Sequence, residues 1–320
     1  MFADAKHAEH ASHAEHGGHG GGGSPLDPKE LFGHVEDSTS LHVPRKLTRD
    51  GSGHIELPQP FMLEKPLVEM RTKSDLINNT IKPFDLKFTK FMAIELLAAI
   101  LLCVFFIGLA SALRGGAIPR GKFRNMLEAM LLYFRDSVAR PCIGGHDADR
   151  FVPFLWTIFF FILACNLFGM IPWLGSPTGA LATTAALAFV TFLAVVGSGM
   201  MKLGAVGFWK AQVPHMELPF VLKIFLIPMI FAIEVFGLFV KHGVLAVRLL
   251  ANMMAGHVVL AVIMAFIAAS AQSLWWWGVM PASVLGATAL SMLELFVAFL
   301  QAYIFTFLSA LFIGMAVHPH

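Results

Sequence analysis

Six long apolar runs follow residue 90, and they constrain the fold more than any other feature of the chain. The runs are Phe91–Leu113, Phe151–Trp173, Ala180–Met201, Pro219–Val240, Val244–Ala271 and Pro281–Val317. About 20 apolar residues cross the hydrocarbon core of a bilayer, where only helices and closed barrels satisfy the backbone. The chain is 57% hydrophobic and only 14% charged, whereas soluble domains are about 25% charged. These features predict an all-α polytopic membrane protein.

The last three runs are predicted to form only two elements. Residues 241–243 are the only break between the fourth and fifth runs, so residues 219–271 are expected to form one long or kinked helix. Residues 281–317 return as its partner. The membrane domain, residues 91–320, therefore has about five crossing elements, with two long helices near the C-terminus. The other three crossings are expected near residues 91–113, 151–173 and 180–201.

The chain up to residue 90 is predicted to lie outside the membrane. Residues 1–24 repeat His and Gly, and a disordered tail is expected there; loose metal binding or a pH-dependent charge is the alternative. Residues 25–90 are polar and form an extramembrane segment. The first apolar run begins too late for a signal peptide. The three cysteines are interpreted as small buried hydrophobes, and neither a metal site nor a cofactor is predicted.

The basic residues of the loops predict the orientation. Residues 114–150 carry seven Lys or Arg and residues 202–223 carry three, whereas residues 172–180 and 271–281 carry none. Because basic loops remain inside, the N-terminus is predicted outside and the C-terminus in the cytoplasm. A cluster of three tryptophans suits the outer interface: Trp275, Trp276 and Trp277.

Residues 122–140 are predicted to form an amphipathic helix on the inner membrane surface. Apolar side chains recur there at helical spacing, while polar side chains take the other face. The apolar set is Phe123, Met126, Leu127, Met130, Leu131, Phe134 and Val138, and the polar set is Arg124, Asn125, Glu128, Arg135 and Asp136.

Polar residues inside the long helix form a stripe. Glu234, Lys241 and Arg248 lie seven residues apart, which is about two helical turns, so they share one face. Asn252 follows Arg248 by one turn and stays near that face. His257 is nine residues beyond Arg248 and points to the opposite side.

The return helix carries a second polar set. Glu294 and Gln301 are also seven residues apart and share a face. Ser291 precedes Glu294 by about one turn.

Several of these residues have a purely structural alternative. Glu234 and Lys241 could form an ion pair, or Lys241 could reach the inner interface, and His257 could be a neutral hydrogen-bonding group between helices. Arg248 differs because it cannot lose its proton, and an intramembrane arginine costs about 2.5–3.5 kcal/mol even on the most lenient scale. A functional charge is therefore predicted at Arg248.

Two segments, VRLLANMMAGH and LELFVAFLQAYIFTFL, resemble subunit a of F-type ATP synthases, the stator channel beside a rotating c-ring. The resemblance covers about residues 85–317 and includes NLFGMIP in the second span, where Gly169 replaces an acid of some relatives. It implies that Arg248 faces the rotor carboxylate and that Glu234 lies near the inner half-channel. The remaining channel residues that it implies are Asn252, His257, Glu294 and Gln301.

The resemblance also implies a mechanism. A rotor carboxylate that faces lipid must be neutral, because an isolated ion is too costly there. Near Arg248 the carboxylate becomes stable as an anion and releases its proton. We expect Glu294, His257 and Ser291 on the outer proton path, and Glu234 on the inner path.

The partners implied by the resemblance are the c-ring, the peripheral-stalk b subunits and the other synthase subunits, in a bacterial inner membrane. A nucleic acid is not expected, and the chain is expected to hold no catalytic site of its own. Three alternatives remain. A sodium-coupled synthase would carry most of its ion ligands on the c subunit, a secondary transporter would show inverted repeats, and a membrane scaffold would not need Arg248.

Overall fold

The structure, a computed structural model, describes residues 40–42, 54–56, 89–113, 122–145, 147–171, 174–213, 220–271, 273 and 275–318. Its helices are α1 Lys90–Leu113, α2 Lys122–Tyr133, α3 Arg140–Ile143, α4 Ala148–Gly169, α5 Leu181–Leu203, α6 Ala205–Ala211, α7 Phe220–Ser270 and α8 Trp276–Val317. Five of them, α1, α4, α5, α7 and α8, are long and apolar enough to cross a membrane. The predicted all-α membrane fold is therefore confirmed.

A small ribbon of two antiparallel strands precedes the helices. Strand β1 is Ser40–His42 and strand β2 is His54–Glu56, with Leu41 opposite Ile55. No strand was predicted from the sequence, because three-residue strands leave almost no pattern in it. A two-stranded ribbon is at best marginally stable on its own. The predicted tail, residues 1–24, and most of the polar segment lie outside the described residues.

The two C-terminal helices are much longer than a bilayer requires. Helix α7 has 51 residues and α8 has 42, so at a rise of 1.5 Å per residue they measure about 77 and 63 Å. The hydrocarbon core is only about 30 Å thick, so both helices must lean strongly or extend beyond it. Helix α8 begins at Trp276, five residues before Pro281, where the last apolar run was taken to start.

The core lies where α4, α5, α7 and α8 pack together. Glycine allows the closest approaches, as is typical of membrane helices. A Cβ at Gly314 would collide with the Cys142 carbonyl oxygen, and a Cβ at Gly199 would collide with the Phe208 ring. The largest core side chains on the four long helices include Leu155, Ile162, Val195, Leu245, Leu249, Phe305 and Ile313.

Polar contacts join three helix ends on one side of the molecule. Lys202 Nζ at the end of α5 lies 2.5 Å from Asp147 Oδ2, the residue before α4. His318 Nε2, just after α8, lies 3.5 Å from the same oxygen. The start of α4 and the ends of α5 and α8 therefore share one surface. This arrangement requires α5 and α8 to run parallel to each other and antiparallel to α4.

The amphipathic segment docks onto this bundle. Helix α2 continues through a π-helical segment, Phe134–Ala139, into α3. Leu127, Phe134 and Val138 are buried, as the apolar face predicted, whereas Met126 is 57% exposed. The Trp156 indole of α4 donates a hydrogen bond to the Leu131 carbonyl oxygen at 3.2 Å. The side chains of residues 123 and 124 lie outside the described set.

Candidate functional site

Helix α7 is buried on one face and open on the other around Arg248. Leu245, Leu249 and Met253 are buried against the bundle, whereas Val244 and Val247 are about half-exposed. Arg248 lies between these two faces and is itself half-buried. On the preceding turns of α7, residues 224–241, no residue is buried. The arginine therefore stands at the edge of an apolar surface that the described part of the chain leaves open.

Arg248 has no protein partner within the part of the chain that the structure describes. It forms neither an ion pair nor a hydrogen bond there, and Glu294, the acid expected to assist it, forms no ion pair with it. A guanidinium carries five donors and a permanent charge. Its position leaves those donors available to a group outside this chain.

A hydrogen bond joins the two polar sets of the long helices. The Asn252 side-chain amide of α7 donates to Gln301 Oε1 of α8 at 2.8 Å. Gln301 is 2% exposed, and its own amide nitrogen has no hydrogen-bond partner. The sequence placed each residue on a polar face, and the structure brings the two faces together one helical turn from Arg248.

Glu294 enters the same contact between α7 and α8. Its side chain is buried and packs on the backbone of Gly256, where an added Cβ would lie 2.6 Å from Glu294 Oε1. His257 is the next residue of α7 and is half-buried. Glu294 Oε1 and His257 Nε2 are both buried without a hydrogen-bond partner. Glu294 therefore packs one residue away from His257 along α7, and no hydrogen bond joins the two residues that were expected to meet.

The other proton-path residues predicted from the sequence take no part in this contact between α7 and α8. The Ser291 hydroxyl donates to the Ala287 carbonyl oxygen of its own helix at 2.9 Å. Glu234 and Lys241 are both exposed, and no ion pair joins them in the described structure. The structural ion pair considered for these two residues is therefore not formed within this chain.

A buried polar network lies beside the site, and the sequence analysis did not assign it. Asn166 of α4 donates from Nδ2 to the Ala298 carbonyl oxygen of α8 at 3.2 Å. Thr178, in the turn after α4, donates its hydroxyl to Asn166 Oδ1 at 2.8 Å. Ser176 Oγ lies 2.9 Å from Thr178 Oγ1 and must be the donor, because the threonine hydrogen is already used. Asn166, Ser176 and Thr178 are at most 2% exposed.

This network fixes the turn between α4 and α5 against both long helices. A Cβ at Gly169 would lie 2.5 Å from Ser176 Oγ and 2.9 Å from Met253 Cε. Gly169 therefore allows the turn to approach α7 one residue from Asn252. An asparagine in an apolar span needs a polar partner, and this was the signal in NLFGMIP that could have identified Asn166.

The arrangement suits the movement of an ion more than the binding of a cofactor. Among the described residues, no group of three His, Cys, Asp or Glu is placed to hold a metal ion. The described site instead combines a permanent cation with buried groups that accept and donate protons. Intramembrane ionisable residues of this kind typically mark ion pathways.

The fold and the site together define a multi-pass membrane protein in which polar side chains of two long helices, α7 and α8, meet. The family model described as ATP synthase A chain matches residues 92–314, and this chain belongs to that family.

Curated relatives lead to the same conclusion. The chain is 41% identical over 239 residues to ATP synthase subunit a of Myxococcus xanthus (strain DK1622), covering 74% of this chain and 76% of the relative. It is 40% identical over 237 residues to ATP synthase subunit a of Chloroherpeton thalassium (strain ATCC 35110 / GB-78), covering 73% and 68%. ATP synthesis and ion transport in a membrane fit this family, and the chain works with other ATP synthase subunits.

Proposed function

We propose that this chain is the proton-channel stator of an F-type ATP synthase and that Arg248 is its electrostatic gate. The observation that carries the proposal is the half-buried Arg248, without a partner in the described chain, beside the exposed apolar side chains Val244 and Val247 of α7. A cation that has been moved away from water needs a compensating anion. The rotor carboxylate of a neighbouring c-ring supplies that anion.

The gate acts by changing the stable protonation state of the rotor carboxylate. In lipid the carboxyl group stays protonated, because a lone carboxylate there is too costly. As the ring brings it to Arg248, Coulomb attraction favours the anion and the proton leaves. The permanent charge of Arg248 also repels a proton that would cross directly. Each charge that crosses gains about 2.3 kcal/mol per 100 mV of membrane potential.

Polar residues on the two sides of Arg248 form the two half-channels. Glu294 and His257 carry the titratable groups of the outer path, with Ser291 nearby. Asn252 and Gln301 hold α7 and α8 together between this path and Arg248. Glu234 and Lys241, exposed on the preceding turns of α7, belong to the inner path.

The same proposal fixes the partners and the orientation. The exposed apolar faces of α7 and α8 meet the c-ring, and the peripheral-stalk b subunits contact the chain elsewhere. The N-terminus lies outside and the C-terminus in the cytoplasm of a bacterial inner membrane, as the basic loops indicate. Protons are favoured over sodium, because the buried groups include a carboxyl and an imidazole, which exchange protons readily.

Site-directed cross-linking tests the position of the ring. Val247→Cys places a thiol on the exposed face beside Arg248, and Val104→Cys places one on exposed α1; the native side chains are 57% and 64% exposed. In purified synthase, the residue 247 thiol should cross-link to a cysteine beside the carboxylate of the small c subunit, and the residue 104 thiol should not. The proposal fails if both cross-link equally or if no small ring subunit co-purifies with the chain.

A further inference from the structure

A further acidic residue, which the proposed half-channels do not use, lies inside the membrane part of the chain. Glu95 of α1 is half-buried, and the Thr183 hydroxyl of α5 donates a hydrogen bond to its Oε1 at 2.6 Å. A carboxyl group at such a position is costly and usually has a function. Glu95 is the only acid in the described part of α1.

Helix positions place Glu95 in the same layer as the buried network of the site. It lies five residues into α1, Thr183 two residues into α5, and Asn166 three residues before the end of α4. These offsets correspond to depths of about 3–8 Å from the helix ends. The three ends share one side of the bundle, because α4 runs into the turn that begins α5 and α1 packs on both.

Residues next to Glu95 border the network around Asn166. Cys165, the residue before Asn166, is fully buried and lies near Glu95. At the same end of α1, Lys90 is 3% exposed and packs on the turn at Gly175, where a Cβ would lie 3.6 Å from Lys90 Nζ. The next residue of that turn, Ser176, begins the hydrogen-bonded series that ends on α8 at Ala298.

Two titratable groups among the described residues lie near Glu95. Helix α4 contributes Cys165, and α1 itself contributes Lys90. Thr183 from α5 is polar but does not titrate in the accessible range, and the described turn Pro177–Gly179 carries no charge. Within the described part of the chain, Glu95 is the carboxyl group at this end of the bundle.

We propose that Glu95 collects protons at the mouth of the outer half-channel and delivers them, through water, toward Glu294. The inference rests on the proposed function, because it requires a proton path that passes Glu294. Glu95 lies near the end of α1 that the proposed orientation puts at the outer interface, and the Asn166 network leads from its layer to α8 one turn from Glu294.

Intact synthase in vesicles tests this role through the rate of ATP synthesis at a fixed electrical potential. Glu95→Gln keeps an oxygen that accepts from Thr183 but cannot carry a proton. We expect it to lower the rate about tenfold at high outer pH, where protons are scarce, and much less at low outer pH. A group in direct transfer with the reacting atom would contribute about 100-fold or more. Formate in the outer solution should restore the rate, because a small acid can deliver the proton instead.

Two matched variants distinguish proton collection by Glu95 from a purely structural role of its hydrogen bond with Thr183. Thr183→Val removes the hydrogen bond but keeps the carboxyl group, so its rate should stay near that of the unmodified enzyme. Glu128→Gln removes an acid from surface helix α2 and should have no effect. If Glu95→Gln behaves normally while Thr183→Val is impaired, the contact is only structural and the inference is overturned.

Two further results complete the test. If Glu95→Gln does not assemble, Glu95→Asp is measured: a normal rate at low outer pH supports the inference, and a loss that is equal at every pH overturns it. Arg248→Ala serves as the reference in the same assay. Continued ATP synthesis by Arg248→Ala would contradict the proposed function itself. Normal ATP synthesis by Glu95→Gln alone would contradict only the proposed role of Glu95.

Discussion

The Glu294 carboxyl group packs directly on the backbone of Gly256, with Oε1 at 2.6 Å from the position that a Cβ at this glycine would occupy. Ordinary contacts at such a position are longer than about 3.4 Å. Gly256 is thus the residue of α7 that lets the buried acid of α8 reach the contact between the helices, beside His257. The position of Glu294 depends on the absence of a side chain there.

Gly256→Ala should therefore displace Glu294 and slow proton flow. A displacement of about 1 Å at a reacting group can cost on the order of 100-fold, and we expect a loss of 10- to 100-fold in ATP-driven proton pumping. Gly243→Ala is the matched control, because nothing lies within 4 Å of its added Cβ. Since alanine favours a helix by about 1 kcal/mol over glycine, both variants should assemble. Equal pumping by the two would show that the close contact has no effect on proton flow.

The buried network around Asn166 should contribute to stability. Thr178→Val leaves Asn166 Oδ1 without its donor, and an unsatisfied buried polar group costs about 1–3 kcal/mol. The measurement is the free energy of unfolding in detergent. Thr288→Val is the control, because Thr288 is exposed and bonds only to its own helix, so its effect should stay within about 0.5 kcal/mol. Equal losses in the two variants would contradict the account.

Asn252 and Gln301 should be energetically coupled. Their hydrogen bond joins α7 to α8, and such bonds in membrane proteins contribute about 0.6–1.7 kcal/mol. A double-mutant cycle with Asn252→Ala and Gln301→Ala should give a coupling energy in this range in the free energy of unfolding. Strictly additive effects would mean that the two side chains act independently.

Glu294 and His257 should act together although no hydrogen bond joins them. Glu294→Gln should slow proton entry strongly, and His257→Ala should be milder, because water can occupy the space of the imidazole. The exchange His257→Glu with Glu294→His should retain more proton flux than either of its single changes, since it preserves one acid and one imidazole. Flux is measured in vesicles with matched amounts of assembled complex. If the double variant has no more proton flux than the worse single variant, the two residues do not act as a pair.

The sequence predicted the elements of this fold better than their contacts. Apolar runs identify helices, and the spacing of Glu294 and Gln301 identifies a polar face on α8. The spacing of apolar and polar residues along one helix does not show how that helix is aligned with another. The pairing of Asn252 with Gln301 could therefore not be derived from the sequence. The contact between Gly256 and Glu294 was hidden for the same reason.

The stripe on α7 shows a similar limit. Glu234, Lys241 and Arg248 share a helical face, as predicted, but Glu234 and Lys241 are exposed while Arg248 is half-buried. The difference arises because neighbouring helices cover α7 around Arg248 and leave its earlier turns open. The π-helical segment Phe134–Ala139 likewise has no signature in the apolar pattern, although it changes which residues of the amphipathic segment face the bundle.

The central claim concerns the charge of Arg248, and ATP-driven proton pumping by Arg248→Ala tests it most directly. The variant should assemble and should not pump, because the rotor carboxylate loses its counter-ion. Arg248→Lys should be severely impaired as well, since a compact ammonium lacks the planar fork of the guanidinium and can lose its proton. Lys210→Ala, which removes an exposed cation from α6, should pump normally. Normal pumping by assembled Arg248→Ala would contradict the account.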